Sequence, residues 1–245
     1  MELQRLLSLT RKAVDEYRQI DENDHIAVGI SGGKDSLTML YALAELRRFY
    51  PHNYKLSAIT VDLGFEDFDT SGIRDLCGSL NVAYNVIKTD ISRIIFEDRK
   101  ESNPCSLCAK MRKGALNEAA LSMGCNKVAY GHHKQDVAET LLLSLIFEGR
   151  IHTFSPVTYL DRTGITVIRP LLYIDEADII GFKNKMKLPV AKKVCPADGY
   201  TKREYAKDIL KQLNHENPGV TERIFTAIER SDIKGWGING QSELS

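Results

Sequence analysis

Residues 30–37 read Ile-Ser-Gly-Gly-Lys-Asp-Ser-Leu and connect an apolar run at residues 25–30 with a helical run at residues 37–49. The first run predicts a strand and the second predicts a helix. Two glycines in a tight turn let backbone N–H groups approach an anion closely, and the helix N-terminus adds partial positive charge. The stretch therefore predicts a phosphate-binding loop between a strand and a helix.

The side chains of this loop suit a phosphate ligand. Ser31 and Ser36 carry hydroxyl donors, and Lys34 can place a positive charge on phosphate oxygens. Asp35 is the candidate catalytic residue of the loop. The full predicted set of phosphate-binding residues is Ile30, Ser31, Gly32, Gly33, Lys34, Asp35 and Ser36.

Single positions exclude two common phosphate loops. The Walker loop needs a glycine five residues before Gly33 and Ser or Thr after the lysine, but Val28 and Asp35 stand there. The dinucleotide loop needs a third glycine three residues after Gly33, where Ser36 stands. The pattern Ser-Gly-Gly-x-Asp-Ser resembles the PP-loop of the N-type ATP pyrophosphatases, which split ATP between its α and β phosphates and adenylate a carbonyl. The alternative is a glycine-rich turn without a ligand.

The composition is that of an ordinary globular protein, with 43% hydrophobic residues, 27% charged residues and no net charge. No apolar run approaches the length that spans a membrane, and the N-terminus lacks the apolar core of a signal peptide. The amphipathic pattern of the first twenty residues predicts a helix. We therefore expect a cytoplasmic protein without a membrane partner.

Strands and helices alternate along most of the chain. The predicted strands lie at residues 55–61, 82–87, 127–130 and 163–168, and the predicted helices lie at 68–80, 106–123 and 135–147. This alternation predicts an α/β fold with a doubly wound, mainly parallel sheet, whose ligand lies at the carboxyl ends of the strands. We assign residues 1–175 to this PP-loop domain.

Residues 176–245 form a predicted basic helical region, with helices at 175–187, 201–214 and 220–228 and a loose tail from about residue 235. Residues 181–211 hold nine Lys or Arg against three acidic residues. Such a segment beside a neutral body suits a phosphate-rich partner, although a solvated helix face has the same composition.

A second turn from strand to helix follows residue 130. Gly131 allows close approach, and Asp136 and Glu139 lie in the first turns of the helix. Both carboxylates suit either a helix cap or a magnesium-bound water near a triphosphate. His132 and His133 are adjacent, so on a strand they point to opposite faces and cannot share an ion, and one of them is expected to be a packing residue.

Three cysteines carry a candidate metal or redox site. Cys105 and Cys108 form a Cys-x-x-Cys pair, which suits half a zinc site, a redox pair or part of an iron–sulfur site, and Cys195 is the third candidate ligand. Cys77 and Cys125 lie in apolar helical sequence and are predicted core residues. Three ligands leave three-coordinate geometry or a cluster with one open iron, which suits a catalytic role rather than a purely structural one.

Four stretches of the chain resemble the tRNA 2-thiocytidine biosynthesis family, and the resemblance covers roughly residues 1–230. They are the loop, residues 104–108 (Pro-Cys-Ser-Leu-Cys), residues 131–133 (Gly-His-His) and residues 168–171 (Ile-Arg-Pro-Leu). The resemblance implies ATP, Mg²⁺ and a 4Fe–4S cluster held by Cys105, Cys108 and Cys195, with Cys108 and Cys195 among the catalytic residues. Many members carry a further cysteine where this chain has Asp198.

The resemblance also implies a reaction and its partners. The C2 oxygen of a cytidine in the tRNA anticodon loop attacks the α-phosphate, pyrophosphate leaves, and sulfur then replaces AMP. Val61 and the residues just after it would frame the adenine, and the basic stretches 110–113 and 183–211 would take the tRNA backbone. A cysteine desulfurase or sulfide would supply the sulfur. We also expect a homodimer.

Three alternatives use the same residues differently. An amine nucleophile attacking adenylated cytidine would make a lysidine-type synthase or an amidotransferase, which needs none of the three cysteines. Thiolation without a cluster would use Cys108 and Cys195 as persulfide carrier and resolving thiol. A non-catalytic ATP- or metal-sensing module would release neither AMP nor pyrophosphate.

Overall fold

A computed structural model describes residues 1–65, 68–99, 104–192, 195 and 202–237. The strands form one sheet in the order β3-β2-β1-β4-β6-β5. Their bounds are β1 Asp24–Gly29, β2 Tyr54–Asp62, β3 Ala83–Lys88, β4 Lys127–Ala129, β5 Val157–Leu160 and β6 Ile165–Ile168. All neighbouring pairs are parallel except β5 and β6. The predicted doubly wound, mainly parallel α/β fold is confirmed.

Helices cover both faces of the sheet. They are α1 Leu3–Glu16, α2 Lys34–Leu46, α3 Ser71–Ser79, α4 Ile91–Arg93, α5 Pro104–Ser122, α6 Lys134–Leu143, α7 Glu176–Met186, α8 Lys202–Glu216 and α9 Val220–Glu229. Two π-helical turns, Ile94–Asp98 and Ser144–Glu148, continue α4 and α6. Within the described ranges, no helix has the length and apolar character that a membrane span requires.

The apolar pattern of each element places it against the sheet. Leu6 of α1, Leu40 of α2 and Phe182 of α7 are fully buried in one core with the apolar side chains of β1. Leu116 of α5 belongs to a second core on the opposite face, together with Ile59 of β2. Because β1 and β2 contribute to both cores, they read as nearly continuous apolar runs, which is typical of strands covered on both faces.

The strand order creates the place for a ligand. β1 lies between β2 and β4, so the chain leaves β1 toward one side of the sheet and returns to its other side. This is the switch point at which open α/β sheets bind ligands outside the carboxyl ends of their strands. Residues 30–33 follow β1 and residues 130–133 follow β4, so the two predicted turns lie side by side.

The structure corrects several local predictions. The predicted helix at 135–147 is α-helical only to Leu143 and then continues as a π-helical turn. Strand β5, the antiparallel edge of the sheet, had no prediction. The loose tail predicted from about residue 235 is wrong at Trp236, which is fully buried between Tyr17 and Phe225, whereas residues 238–245 lie outside the described ranges.

Candidate active site

The loop after β1 is held by its own serines. Ser36 Oγ donates to the carbonyl oxygen of Gly33 at 2.9 Å, and the backbone N–H of Ser31 donates to Ser36 Oγ at 3.2 Å. The N–H of Gly33 donates to Ser31 Oγ at 3.3 Å. Ile30 is tied to β2 because its N–H donates to the carbonyl oxygen of Ile59 at 2.8 Å. Hydrogen bonds within the chain therefore hold the conformation of the loop.

Gly32 is the one loop position that requires glycine on backbone grounds. Its φ angle is +79°, and an added Cβ would lie 2.8 Å from Cβ of Ala191. The N–H of Ala191 donates to the carbonyl oxygen of Gly32 at 3.0 Å. The segment after α7 therefore closes one side of the loop, and any side chain at residue 32 would push that segment away.

Gly131 brings the second turn against the first. A Cβ at this position would lie 3.0 Å from the backbone carbon of Asp35 and 3.2 Å from the nitrogen of Ser36. The glycine thus allows the backbone after β4 to contact the N-terminal turn of α2, which shapes the wall of the site.

Lys34 is held by carboxylates from two elements. Its Nζ lies 3.1 Å from Asp35 and 3.1 Å from Oε1 of Glu176, the first residue of α7. The same Oε1 contacts Nζ of Lys207 of α8 at 2.9 Å. Burial alone would raise the pKa of Glu176, but the hydrogen bonds from Lys207 and Lys34 outweigh it and lower that pKa to about 2. Glu176 therefore stays ionised and links the loop to the basic helix.

Glu176 was missed by the sequence reasoning, in which residue 176 only begins a helical region. Its carboxylate follows Asp175, the N-cap of α7, and acidic residues are common in the first turn of any helix. No signal in the sequence distinguishes this glutamate from an ordinary one.

The loop opens into a cavity of about 720 Å³ at the switch point of the sheet. Predicted site residues that line it are Ile30, Ser31, Gly32, Gly33, Lys34, Asp35, Ser36, Val61, Gly131, Asp136 and Cys195. Asp62, Leu63 and Phe65 continue the wall after Val61, where the sequence analysis places the adenine. Lining residues that were not predicted include Phe68, Leu116 and Tyr130.

Asp136 caps its helix and also binds the basic region. Its Oδ2 accepts the N–H of His133 at 2.9 Å, and its Oδ1 accepts a hydrogen bond from Arg203 of α8 at 2.9 Å. Burial would raise the pKa of Asp136, but His133, His132, this backbone hydrogen bond and Arg203 lower it overall. The capping role is confirmed and this carboxylate also lines the cavity, whereas a role at a magnesium-bound water stays a prediction.

Glu139 is buried, and its carboxyl group has a strongly raised pKa. Burial first, and the nearby Asp136 second, raise its pKa to about 7, although Arg203 and Lys207 act in the opposite direction. Because the ordinary value is 4.5, the folded protein binds a proton between these pH values that the unfolded chain has released. Glu139 therefore stabilises the fold less as pH rises through this window.

We expect Glu139→Gln to remove this pH dependence. As pH rises from about 4.5 to 7, Glu139 should lower the free energy of unfolding of the wild type by on the order of 3 kcal/mol, since each pKa unit corresponds to about 1.4 kcal/mol. The variant should lack this decrease. Urea unfolding at several pH values measures the difference. Equal pH profiles for the two proteins would contradict the assignment, and the exposed Glu148→Gln serves as the control.

The three candidate cysteines are unpaired and influence one another. Cys105 and Cys108 lie in the first turns of α5, and Cys195 lies on the wall of the cavity. Burial raises the pKa of the Cys108 thiol, Arg112 lowers it, and Cys195 and Cys105 raise it further. Cys77 and Cys125 are buried core residues, as predicted, and burial raises the pKa of each to about 11.

This donor set matches an iron–sulfur cluster in kind. Thiolates are the usual ligands of such clusters, and all three thiols are free. Among the described residues, however, no three His, Cys, Asp or Glu side chains stand close enough together to hold a metal ion. Asp198 lies outside the described ranges. Cys108 is nevertheless close enough to Cys195 for their charges to interact.

Comparisons with known proteins identify the family of this chain. A family model described as a PP-loop domain matches residues 5–205. The tRNA-cytidine(32) 2-sulfurtransferase of Pelobacter propionicus is 40% identical over 227 residues, which are 91% of this chain and 84% of the relative. The protein of the same name from Geobacter metallireducens is 40% identical over 220 residues, which are 89% of this chain and 86% of the relative.

Solved structures give the same picture. The U34-tRNA thiolase NcsA from Methanococcus maripaludis, with its [4Fe-4S] cluster, superimposes with a TM-score of 0.73 and 28% identity over 91% of this chain and 77% of that chain. NMN synthetase from Francisella tularensis, with a TM-score of 0.55, 13% identity and 95% of each chain covered, shares the fold alone. This chain is a member of the PP-loop domain family and, within it, of the tRNA-cytidine(32) 2-sulfurtransferase family.

Proposed function

We propose that this chain is an ATP-dependent tRNA sulfurtransferase that adenylates the C2 carbonyl of a pyrimidine and replaces its oxygen with sulfur. The relatives' names support a cytidine as the pyrimidine, and the sequence analysis expects it in the anticodon loop. One observation carries the proposal: the phosphate loop and Cys195 line the same cavity, and Cys108 lies within electrostatic reach of Cys195. A sulfur-bearing group held there would reach a base activated by ATP.

In this proposal the loop binds the phosphates of ATP. The N–H groups of Gly32 and Gly33 and the hydroxyls of Ser31 and Ser36 would bind phosphate oxygens, and Lys34 would offset their charge. Mg²⁺ would assist as pyrophosphate leaves. The Oδ1 atom of Asp35 suits Mg²⁺ as an oxygen ligand, because it is buried and accepts no hydrogen bond from the described residues. Lys34 Nζ lies 3.1 Å from the same atom.

Cys105, Cys108 and Cys195 would hold the 4Fe–4S cluster. When bound, such a cluster would supply the sulfur chemistry of the reaction, and the three thiolates would hold it next to the cavity. Thiolation without a cluster, with Cys108 and Cys195 as persulfide carrier and resolving thiol, is the alternative that iron analysis separates from this proposal.

The RNA would lie across the basic residues around the cavity. Arg112, Lys183, Lys192 and Arg203 all line its wall. Their contacts to phosphate are independent of RNA sequence, so tRNA binding should weaken steeply with salt. A sulfur donor, either a cysteine desulfurase or sulfide, and a homodimeric state remain predictions from the sequence.

The proposal is tested by anaerobic purification followed by iron and acid-labile sulfide analysis and by a thiolation assay. We expect about four irons per chain, 2-thiocytidine in tRNA, and AMP and pyrophosphate as products. A protein that remains free of iron after anaerobic reconstitution, or one that modifies tRNA without iron, would overturn the cluster. AMP release with an amine but without sulfur would favour the amine alternative.

Asp35→Ala should separate the two halves of the site. The variant loses the only loop carboxylate and should show no measurable AMP release, while its iron content stays at the wild-type level. Asp15→Ala, an exposed substitution on α1, serves as the control for effects that do not involve the loop. Loss of iron together with activity in Asp35→Ala would contradict separate binding of ATP and cluster.

A further inference from the structure

Arg169, which follows β6, is a buried guanidinium held by neutral groups. Only 7% of the residue is exposed. It donates hydrogen bonds to the carbonyl oxygen of Ser155, to Thr158 Oγ1 at 3.1 Å, and to His132 Nδ1 at 3.3 Å. Burial lowers the pKa of Arg169, and Tyr130 rather than a carboxylate opposes that effect. Burying a charge without a counter-ion costs free energy, so the hydrogen bonds to these neutral acceptors stabilise the buried guanidinium.

The hydrogen bond to His132 determines the tautomer of that imidazole. Arg169 has only donors, so Nδ1 of His132 must accept and cannot carry a proton. In a neutral imidazole the proton is then on Nε2. Burial lowers the pKa of Arg169 only to about 10, so the donor persists at neutral pH.

The surroundings of His132 also exclude the imidazolium. The charged groups that face it are Arg169 after β6, Asp136 on α6, Arg203 on α8 and Lys113 on α5. Burial first, and the three cations after it, lower the pKa of His132 to about 3, against the opposite effect of Asp136. The ring is therefore neutral at physiological pH and does not titrate there.

The imidazole of His132 packs against two aromatic rings and forms part of the cavity wall. Its ring lies 4.6 Å from the ring of Phe154 and 5.8 Å from that of Tyr130, measured between centroids. His132 lines the same cavity as the phosphate loop. The ring hydrogen bond that Arg169 makes to His132 uses Nδ1, which leaves the N–H of Nε2 for a ligand.

We propose that His132 presents a neutral Nε2–H donor to the cavity and that this donor binds an oxygen of the reacting groups, with Arg169 as the residue that positions it. The acceptor is either an α-phosphate oxygen of ATP or the carbonyl oxygen of the target base. A fixed donor aimed at an oxygen that gains negative charge lowers the barrier without reorganising. Only the identity of the acceptor rests on the proposed function.

The tautomer can be measured directly by ¹⁵N NMR of the full-length protein labelled at its six histidines. His132→Gln identifies the signals of this ring. We expect an acceptor-type shift for Nδ1, a protonated-type shift for Nε2, and no titration of either between about pH 5 and 8. A proton on Nδ1, or titration in this range, would overturn the proposal whether or not the protein thiolates tRNA.

Ligands added separately identify the acceptor. A shift of Nε2 with α,β-methylene-ATP alone assigns the phosphate, and a shift only after tRNA is added assigns the base. No shift with both ligands bound would overturn the proposal while leaving the proposed function intact.

Two variants test the roles of the residues. Arg169→Met removes the donor to Nδ1 and should produce a mixture of tautomers, whereas Arg150→Met, at an exposed arginine paired with Glu148, should leave the His132 signals unchanged. His132→Phe should slow AMP formation by about 10²-fold, the usual loss for one such donor. His132→Gln keeps an N–H donor near the position of Nε2 and should recover part of that loss, so an equal loss in both variants would contradict a donor role.

Discussion

Cys108→Ala is expected to abolish sulfur transfer to tRNA and to leave ATP binding at the wild-type level. Cys108 is one of three thiols proposed to hold the cluster, and two remaining ligands do not retain it. Its side chain is not part of the phosphate loop, whose hydrogen bonds come from Ser31 and Ser36. Iron analysis, thiolation of tRNA and titration with an ATP analogue measure the three properties in one preparation.

Cys77→Ala is the matched control for this variant. Cys77 is buried on α3 within the core, and its thiol is remote from the cavity wall. The substitution should lower the free energy of unfolding by about 1 kcal/mol through lost packing, and iron content and activity should stay unchanged. Retention of iron in Cys108→Ala, or its loss in Cys77→Ala, would refute the assignment of the cluster ligands.

Gly32→Ala is the second substitution with a large expected effect. A positive φ of +79° disfavours any side chain, and the new Cβ would lie 2.8 Å from Cβ of Ala191. The left-handed conformation alone costs about 1–2 kcal/mol, and displacement of residue 191 adds to that. Because the loop must move to relieve both, we expect at least tenfold weaker binding of the ATP analogue than in wild type and a lower melting temperature than in a control variant.

Gly33→Ala provides that control one residue away. Gly33 is the N-cap of α2 with a φ of −80°, and a Cβ there would meet only Ser31 Oγ at 3.4 Å, an ordinary contact. Its backbone N–H is retained by alanine. The melting temperature should stay close to that of wild type, measured by differential scanning calorimetry. Equal destabilisation by the two substitutions would show that backbone strain is not what distinguishes residue 32.

The local features of this protein were predictable because they depend on neighbours in sequence. The loop at residues 30–37 combines a strand end, two glycines and a helix start, which are all visible within eight positions. Cys77 and Cys125 were recognised as core residues from the apolar sequence around them. The alternation of strands and helices predicts a parallel sheet because crossover connections follow general rules of handedness and length.

Other features depend on packing between distant segments. Strand β5 is defined by its pairing with β6, and Trp236 is buried because Tyr17 and Phe225 surround it. The sequence pattern near β5 and Trp236 does not indicate these packing partners. The short apolar stretches there therefore predict a loop and a loose tail.

The sequence by itself determined the fold class and the phosphate-loop pattern, and it supplied candidate site residues that did not include Glu176. The tertiary structure alone decided how those residues act on one another. Glu176 contacts both Lys34 and Lys207, and Arg169 fixes the proton of His132. Contacts between charges on separate elements depend on distances of a few ångströms and on exclusion of water, which the folded chain sets and no local pattern records.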